Sequence, residues 1–590
     1  MTTFGIDLGT TYSCIAYVDK WGQATLIRNG FDEFTTPSVV YFESPDNVLV
    51  GKEAKGLAKI CPELVVSLIK REMGKDLELT LHGQVHTPET ISALILRELA
   101  RYASEQTGQE VRDVVITVPA YFGEAEKLAT RNAGRIAGLN VLSLVPEPVA
   151  AALHYDSLGI ITDRNILVFD LGGGTFDTTV IRLTADAVTV VCTDGDHNLG
   201  GADWDKRIAD FLQDDFDRMH PGSGAGASEE FGQELLIVAE DMKKSLSSAR
   251  YRRYTTGFGG NTSQVSLSRD ELELLGAELL ERAMEITERT VLTARQAGIE
   301  HFDEVLLVGG ATRAPAVETA LREQFGFEPR RFDPDQAVAK GAALFGLIES
   351  VKIILPLQPG SLGHLREFGQ ANEPEQPEQP VAVADLDESG LEPDELDALN
   401  KVADETGMPR HHLLDLATKT VTNVVPRAFG VKVLANPDDV EDDSDPGSGT
   451  GTDTSTDDLG PDDPPVFSIA HILETNRPLP AAPETQRFYT AHQNQTTIRI
   501  EIWEQAGAVM STNPADNAKI GDGVISDLPP LPQGSPIDVN FTMDDKGLLR
   551  VDAVELTTGQ QLSIELQIQG LTELQLEQST NTVAGYAVSG

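Results

Sequence analysis

Short apolar runs alternate with long amphipathic stretches through the first 350 residues. Val114-Val115-Ile116-Thr117-Val118, Ile166-Leu167-Val168-Phe169 and Val305-Leu306-Leu307-Val308 predict strands. Between them lie helical patterns such as Glu89 to Gln106. That helix has a start signal in Thr87-Pro88-Glu89, with Thr as cap and Pro at the first position. The alternation predicts an α/β domain, or a pair of them, over 1–350.

The pattern changes from about residue 370. Ala371 to Pro380, built from Glu, Gln and Pro, reads as a solvated linker. A helical pattern then places Leu396, Leu399, Val402 and Ala403 on one face, with Pro393 near its start, and a second short helix is expected over Pro409 to Thr418. Pro437 to Pro465 is rich in Asp and Glu, has no Lys or Arg, and is expected to be disordered. Strict alternation follows in Ile498-Arg499-Ile500-Glu501-Ile502 and in Leu562 to Ile568. Asp544 to Gly547 and Thr557 to Gln560 read as turns between strands. The expectation is a linker and helical insertion over 351–420, a β-sandwich over 421–570 that carries the disordered acidic insertion 437–465, and a short tail, 571–590, with room for one short helix.

Composition narrows the partners. The 590 residues carry 46 Lys and Arg against 93 Asp and Glu, a net charge of -47. Such a chain is repelled by nucleic-acid phosphates and by anionic membranes, so neither is expected as a partner. Cys14, Cys61 and Cys192 lie too far apart for a disulfide framework or a zinc cluster and suit a reducing compartment. Met1 to Ile6 lacks the basic and apolar order of a secretory leader. The most apolar stretch, Ala337 to Leu357, is broken by Lys340, Glu349 and Lys352, so no membrane span is read. A soluble, cytoplasmic, multidomain protein is expected.

Two segments look like copies of one another: Ile6-Asp7-Leu8-Gly9-Thr10-Thr11-Tyr12 and Phe169-Asp170-Leu171-Gly172-Gly173-Gly174-Thr175-Phe176-Asp177. In each, an apolar strand leads into Asp-Leu-Gly, small hydroxyl or glycine residues and a further β run. Glycine lets the main chain approach an anion, its amides then cradle phosphate oxygens, and the Thr hydroxyls add donors. The Asp residues would hold Mg²⁺ through its waters. A lone Asp-Leu-Gly is as easily a tight hairpin turn, but two copies point to two related halves facing each other across a cleft. Neither a P-loop nor a G-x-G-x-x-G is present. A third segment, Val305 to Arg313, reads as a strand, a Gly309-Gly310 turn and a helix start, with Arg313 placed to stack on a base.

These segments resemble the signatures of the seventy-kilodalton heat-shock chaperones, the DnaK type. Ile116 to Phe122, Glu147 to Ala152, Gly195 to Gly201 and Asp333 to Ala339 match further, in the family's order. The resemblance implies a two-lobed actin-like ATPase fold over 1–350, ATP or ADP with Mg²⁺ as cofactors, and a place in the stress response. It implies that Asp7, Asp170 and Asp177 are the metal and water-orienting acids, Asp7 and Asp170 holding the metal through water. Thr10, Thr11, Gly172, Gly173, Gly174 and Thr175 would bind phosphate. Lys70 would stand near the γ-phosphate, Glu147 at the same catalytic centre, and Pro119 where a proline couples to nucleotide state. Glu240, Lys243 and Ser247 would bind adenosine, and their i, i+3, i+7 spacing puts them on one helical face. Gly309, Gly310, Arg313 and Asp335 would complete the nucleotide contacts.

The chain also departs from the family. The stretch between Arg71 and Glu89 is shorter, which bears on how a nucleotide-exchange factor would bind. Ser143 and Pro146 replace residues that serve a J-domain partner, which puts that partnership in doubt. Two segments compete as interdomain linker: Ile353 to Leu357 with Gly360 to Gly363, and Val421 to Pro426, the latter preferred. The sandwich resembles a peptide-binding domain in which Phe488, Ala491, Ile498 and Ile500 would line an apolar groove. The final residues are too few for the family's helical lid. The reading is an ATP-driven, lidless chaperone for unfolded or extended polypeptides. The rivals are a small-molecule kinase on the same fold and a nucleotide-responsive scaffold that does not cycle.

Overall fold

The computed structural model describes residues 2–158, 163–184, 186–354, 393–434, 466–507, 509–545, 547–566 and 571–589. The acidic stretch 437–465, the Glu- and Pro-rich run 371–380 and the first linker candidate beyond Ile354 lie outside them. The chain divides into two units, Met1–Thr422 with Gly570–Gly590, and Asn423–Gln569.

The first unit is built on two sheets of the same plan. In lobe I, strand Phe4–Asp7 pairs antiparallel with Tyr12–Val18 and parallel with Asp113–Val118, which pairs parallel with Asn140–Pro146. In lobe II, strand Arg164–Leu171 pairs antiparallel with Phe176–Leu183 and parallel with Glu304–Val308, which pairs parallel with Pro329–Arg331. Each antiparallel hairpin turns through one of the two Asp-Leu-Gly segments, so the repeat in sequence is a repeat in topology. The predicted apolar runs are inner strands of these sheets, and Ile116, Leu167, Val168 and Leu306 are fully buried. Thr87 caps the helix Pro88–Thr107 as its sequence predicts, accepting from Thr90 N.

Helix Ala337–Ile354 packs between helix Glu147–Asp156 and strands Phe4–Asp7 and Tyr12–Val18. Small residues allow the approach. A Cβ at Gly341 would lie 1.7 Å from the carbonyl oxygen of Ala150, and one at Gly5 would lie 2.1 Å from Ala343 N. The helix is buried in protein, and among the described residues no helix is long and apolar enough to cross a membrane.

The helices Pro393–Thr406 and Arg410–Thr418 form where their apolar pattern places them, but not as a separate insertion. Leu399, Val402, Met408, Leu413 and Leu414 share a core with Leu347 and Val351 of the long helix. Strand Thr420–Thr422 then adds parallel to Ala187–Asp196 at the edge of the lobe II sheet. The first unit therefore runs to Thr422, not to 350, because that apolar face packs on the long helix of lobe I. The tail differs from expectation as well: helix Glu573–Gly585 and strand Ala587–Ser589 belong to the first unit.

The second unit is a sandwich of two four-stranded antiparallel sheets. One has the order Phe467–Leu473, Phe429–Leu434, Ile498–Gln505, Asn517–Ile525; the other Ala481–Tyr489, Pro536–Met543, Leu549–Glu555, Gln561–Glu565. Thr557 to Gln560 makes the turn it predicts: the buried Glu555 carboxylate accepts from the amides of Thr557 at 2.8 Å and Thr558 at 2.7 Å. The groove assignment is corrected. Ile498 and Ile500 point inward and are buried in the sandwich core with Phe541 and Val551, Phe488 is half-buried against that core, and Ala491 is half-buried outside it. Ile498→Asp should therefore unfold the second unit, costing more than about 3 kcal/mol, because it buries a charge with no partner. Calorimetry of the full chain should show the first unit's transition unchanged and the sandwich transition lost; a wild-type melt would move Ile498 back to an open surface.

Candidate functional site

The two repeated turns meet. At Gly173 a Cβ would fall 2.0 Å from Thr11 Oγ1, and at Gly174 one would fall 2.3 Å from Thr10 Cγ2. Thr10 and Thr11 of lobe I thus lie directly against the Gly172 to Thr175 turn of lobe II. At Gly9 a Cβ would lie 2.0 Å from the carbonyl oxygen of Tyr12, so the first turn closes only with glycine there. The amides of Gly201 and Ala202, at the start of helix Gly201–Met219, donate to the carbonyls of Gly172 at 2.9 Å and Gly173 at 2.8 Å. The second turn is thereby fixed on a helix N-terminus, where the helix dipole favours negative charge.

Beneath the turns lie four acids and one base. The ammonium of Lys70, buried on a short 3₁₀ turn, donates to Glu147 Oε1 at 2.5 Å. Glu147 begins the helix Glu147–Asp156. Asp7 is the last residue of its strand, Asp170 the last but one of the equivalent strand of lobe II, and Asp177 the second of the return strand, directly opposite Asp170. Thr117 Oγ1 donates to Asp7 at 3.2 Å, and the Tyr121 amide donates to Asp177 at 3.0 Å. Burial, reinforced by the Glu147 charge, raises Asp7 to about 7 and Asp177 to about 8 and pushes Asp170 well up. Four carboxyl groups crowd one lysine, and a divalent cation bound there would displace the protons that burial holds on the aspartates. Among the described residues no group of three or more acids, His or Cys is placed to ligate a metal together.

These acids set a pH dependence. The folded chain keeps the Asp177 proton up to about 8, while the unfolded chain loses it near 3.8. Stability from a group raised in this way is complete below the unfolded value and is lost as pH rises through the folded value. The melting temperature of the nucleotide-free protein should fall between about pH 5 and 8.5, and Asp177→Asn should flatten that fall. An unchanged slope in the variant would show that Asp177 is not the group responsible.

Beside the turns opens a cavity of about 120 Å³. Lys243, Ser247, Arg269, Gly310 and Arg313 are among its lining residues. Lys243 is held at 2.8 Å by Asp205 and donates to the Gly201 carbonyl at 2.6 Å. Arg313 pairs with Asp335. Gly309 has φ 81°, and a Cβ there would lie 2.4 Å from the Leu171 carbonyl oxygen, so glycine is required on both counts. Lys243, Ser247, Gly310 and Arg313 come together as expected, but Glu240 does not line the cavity. Its carboxylate accepts from Tyr12 at 2.9 Å and is ion-paired to Lys55 and Lys244. Burial alone would raise Glu240, but Lys55 and Lys244 outweigh it and hold it down at about 2.

Sequence reasoning missed the residues that join the lobes. Arg71 reaches from lobe I to donate to the Gly174 carbonyl at 2.9 Å and forms a two-point pair with Asp203 at 3.1 and 2.6 Å. Asp203 also accepts from the Gly200 amide at 2.8 Å, ahead of the helix. Lys55 and Tyr12 do the same at Glu240. None of these pairs has a spacing signal, because the partners lie far apart in the chain.

A family model described as Hsp70 protein matches residues 3–81, 76–355 and 468–585. The first two matches join at 76–81, within the shortened stretch after Arg71. The last covers the sandwich from strand Phe467–Leu473 onward and the whole terminal helix, and 356–467, which holds strand Phe429–Leu434, is left unmatched.

Proposed function

Because the chain belongs to the Hsp70 family, whose members are generally ATPases working with Mg²⁺ and ATP or ADP, we propose that it is an ATP-dependent chaperone whose hydrolysis cycle controls the binding of extended polypeptide to the sandwich. The observation that carries the reading is the contact of Thr10 and Thr11 with Gly173 and Gly174 directly above the buried acids and Lys70. The nucleotide base takes the cavity lined by Lys243, Ser247 and Arg313. Its phosphates lie between the two turns, where main-chain amides and Thr hydroxyls donate to them.

When bound, Mg²⁺ neutralises the phosphates. Lys70, displaced from Glu147 by the γ-phosphate, stabilises the charge that spreads over the transferred group. Glu147, Asp177 or Asp7 then orients the attacking water, and the raised values of the two aspartates suit a group that takes up a proton near neutrality. Arg71 and Lys55 hold the lobes together over the bound nucleotide; a nucleotide-exchange factor is a further proposed partner, acting by opening that cleft.

For the polypeptide, the sandwich offers an edge. Ala481–Tyr489 is the outer strand of its sheet and is mostly exposed, with Tyr489 at 63%. An extended apolar segment adds to such an edge by main-chain pairing, with side chains reaching Phe488 and Tyr489. The test is single-turnover ATP hydrolysis with and without an unfolded polypeptide. Polypeptide-accelerated hydrolysis is expected. Hydrolysis that responds to a small polar acceptor and not to polypeptide would favour a kinase, and binding without hydrolysis a scaffold.

A further inference from the structure

The last residues of the chain return to lobe I. Strand Ala587–Ser589 pairs parallel with Asn47–Val50, Val588 opposite Val48, and completes a four-stranded sheet with Val40–Ser44 and Val65–Val66. The Ala587 amide donates to the Asp46 carbonyl at 2.9 Å. Helix Glu573–Gly585 packs on the helices Pro88–Thr107 and Glu124–Ile136. Leu576 is 6% exposed, Val583 0% and Tyr586 3%, and all three belong to the core that contains Phe4, Ile6 and Ile95.

Polar contacts fix the same segment. At the end of the terminal helix Arg97 donates to the carbonyl of Val583, which also accepts from the Tyr586 amide, and to the carbonyl of Tyr586. The Tyr586 hydroxyl bonds Gln84 Oε1 at 2.7 Å and His86 Nε2 at 3.1 Å, and its ring meets Phe42 edge-on at 5.8 Å. Gln84 and His86 form the hairpin strand that closes the stretch after Arg71. Without this segment, the buried ring of His86 loses the Tyr586 hydroxyl at its Nε2, Phe42 loses a core neighbour, and Asn47–Val50 becomes an open sheet edge.

We propose that residues 571–589 are a permanent, fold-completing part of lobe I, docked in every nucleotide state, and not a releasable cover for the sandwich. The second unit is then an insertion in the ATPase unit. Its chain leaves lobe II at Thr422, where Val421 pairs with Val188, and re-enters lobe I at Leu571. A segment docked on the outside of a domain through a few exposed side chains detaches at small cost. This one supplies a strand, core side chains and hydrogen-bonded carbonyls together, so its release is local unfolding of lobe I.

The proposal is tested without reference to ATP hydrolysis, so it stands or falls apart from the functional reading. A specific protease site is placed within 567–570 of the full chain and cut. Gel filtration with no nucleotide, with ADP and with ATP should show the terminal fragment co-eluting with the remainder in all three. Loss of the fragment in any one state overturns the proposal. In the uncut chain, Tyr586→Ala should speed hydrogen exchange of Asn47–Val50 at least tenfold, while Tyr489→Ala leaves it unchanged; equal exchange in the two variants also overturns it.

Discussion

Lys70→Ala should keep nucleotide affinity near wild type and slow single-turnover hydrolysis by about 100-fold or more, the cost of removing one preorganised charge from a transition state. In the proposed site, ground-state contacts to the nucleotide are many: the cavity lined by Lys243 and Arg313, and two turns with their amides. The transition state adds charge at one place only, and among the described residues Lys70 is the only basic side chain paired to the four acids of the site. An interaction made chiefly in the transition state lowers the rate without weakening binding. The loss also has an electrostatic side. The Lys70 charge lowers the proton affinity of Asp7, Asp170 and Asp177 in the folded chain, so its removal raises all three further. The variant's residual rate should therefore rise more steeply toward alkaline pH than that of the wild type. Undiminished hydrolysis would remove Lys70 from the mechanism, and a large loss of ADP affinity would make it a binding residue.

What the sequence made legible was local. The phosphate turns are contiguous, so Asp7 to Thr11 and Gly172 to Thr175 could be read directly, and their duplication in the chain is the duplication of the two sheets. Long-range pairing was not legible. Arg71 reads as a solvated neighbour of Lys70 until Asp203 and Gly174 are brought to it. The helical face of Leu399 and Val402 is plain in the pattern, but what covers it, Leu347 and Val351, is not. Period-two alternation at Ile498 and Ile500 states that one face is buried, yet it carries the same signal for a sandwich core and for a peptide groove. The tail misled through composition. Leu576, Val583 and Tyr586 are few and widely spaced in a polar segment, and they become core residues only because lobe I offers an open sheet edge.

Within one turn, three glycines should respond differently to alanine, and that order tests how the lobes meet. None of the three has a positive φ, so an added methyl is judged by space alone. At Gly172 it would sit 3.5 Å from the Thr175 carbonyl oxygen, an ordinary contact. At Gly173 it would lie 2.0 Å from Thr11 Oγ1 and 2.7 Å from Thr11 Cβ, an atom no rotamer can move away. At Gly174 it would lie 2.3 Å from Thr10 Cγ2 and 2.7 Å from Thr10 Cβ. Ordinary contact begins near 3.4 Å, so in Gly173→Ala the fixed Thr11 Cβ alone parts the two turns by about 0.7 Å, and Thr11 Oγ1 and Cγ2 in their present rotamer by more. A displacement of that size between reacting groups costs about 100-fold in rate, or about 2.7 kcal/mol. Gly173→Ala and Gly174→Ala should therefore lose about two orders of magnitude in single-turnover hydrolysis and bind ADP more weakly, because in the proposed site the phosphates contact both turns at once. Gly172→Ala keeps its amide and its geometry and should stay within a few-fold of wild type on both measures. Titration calorimetry with ADP and single-turnover hydrolysis on the three variants decide the matter. Equal effects at Gly172 and Gly173 would mean that the turns separate when nucleotide enters and that the Thr11 contact belongs to the nucleotide-free protein alone.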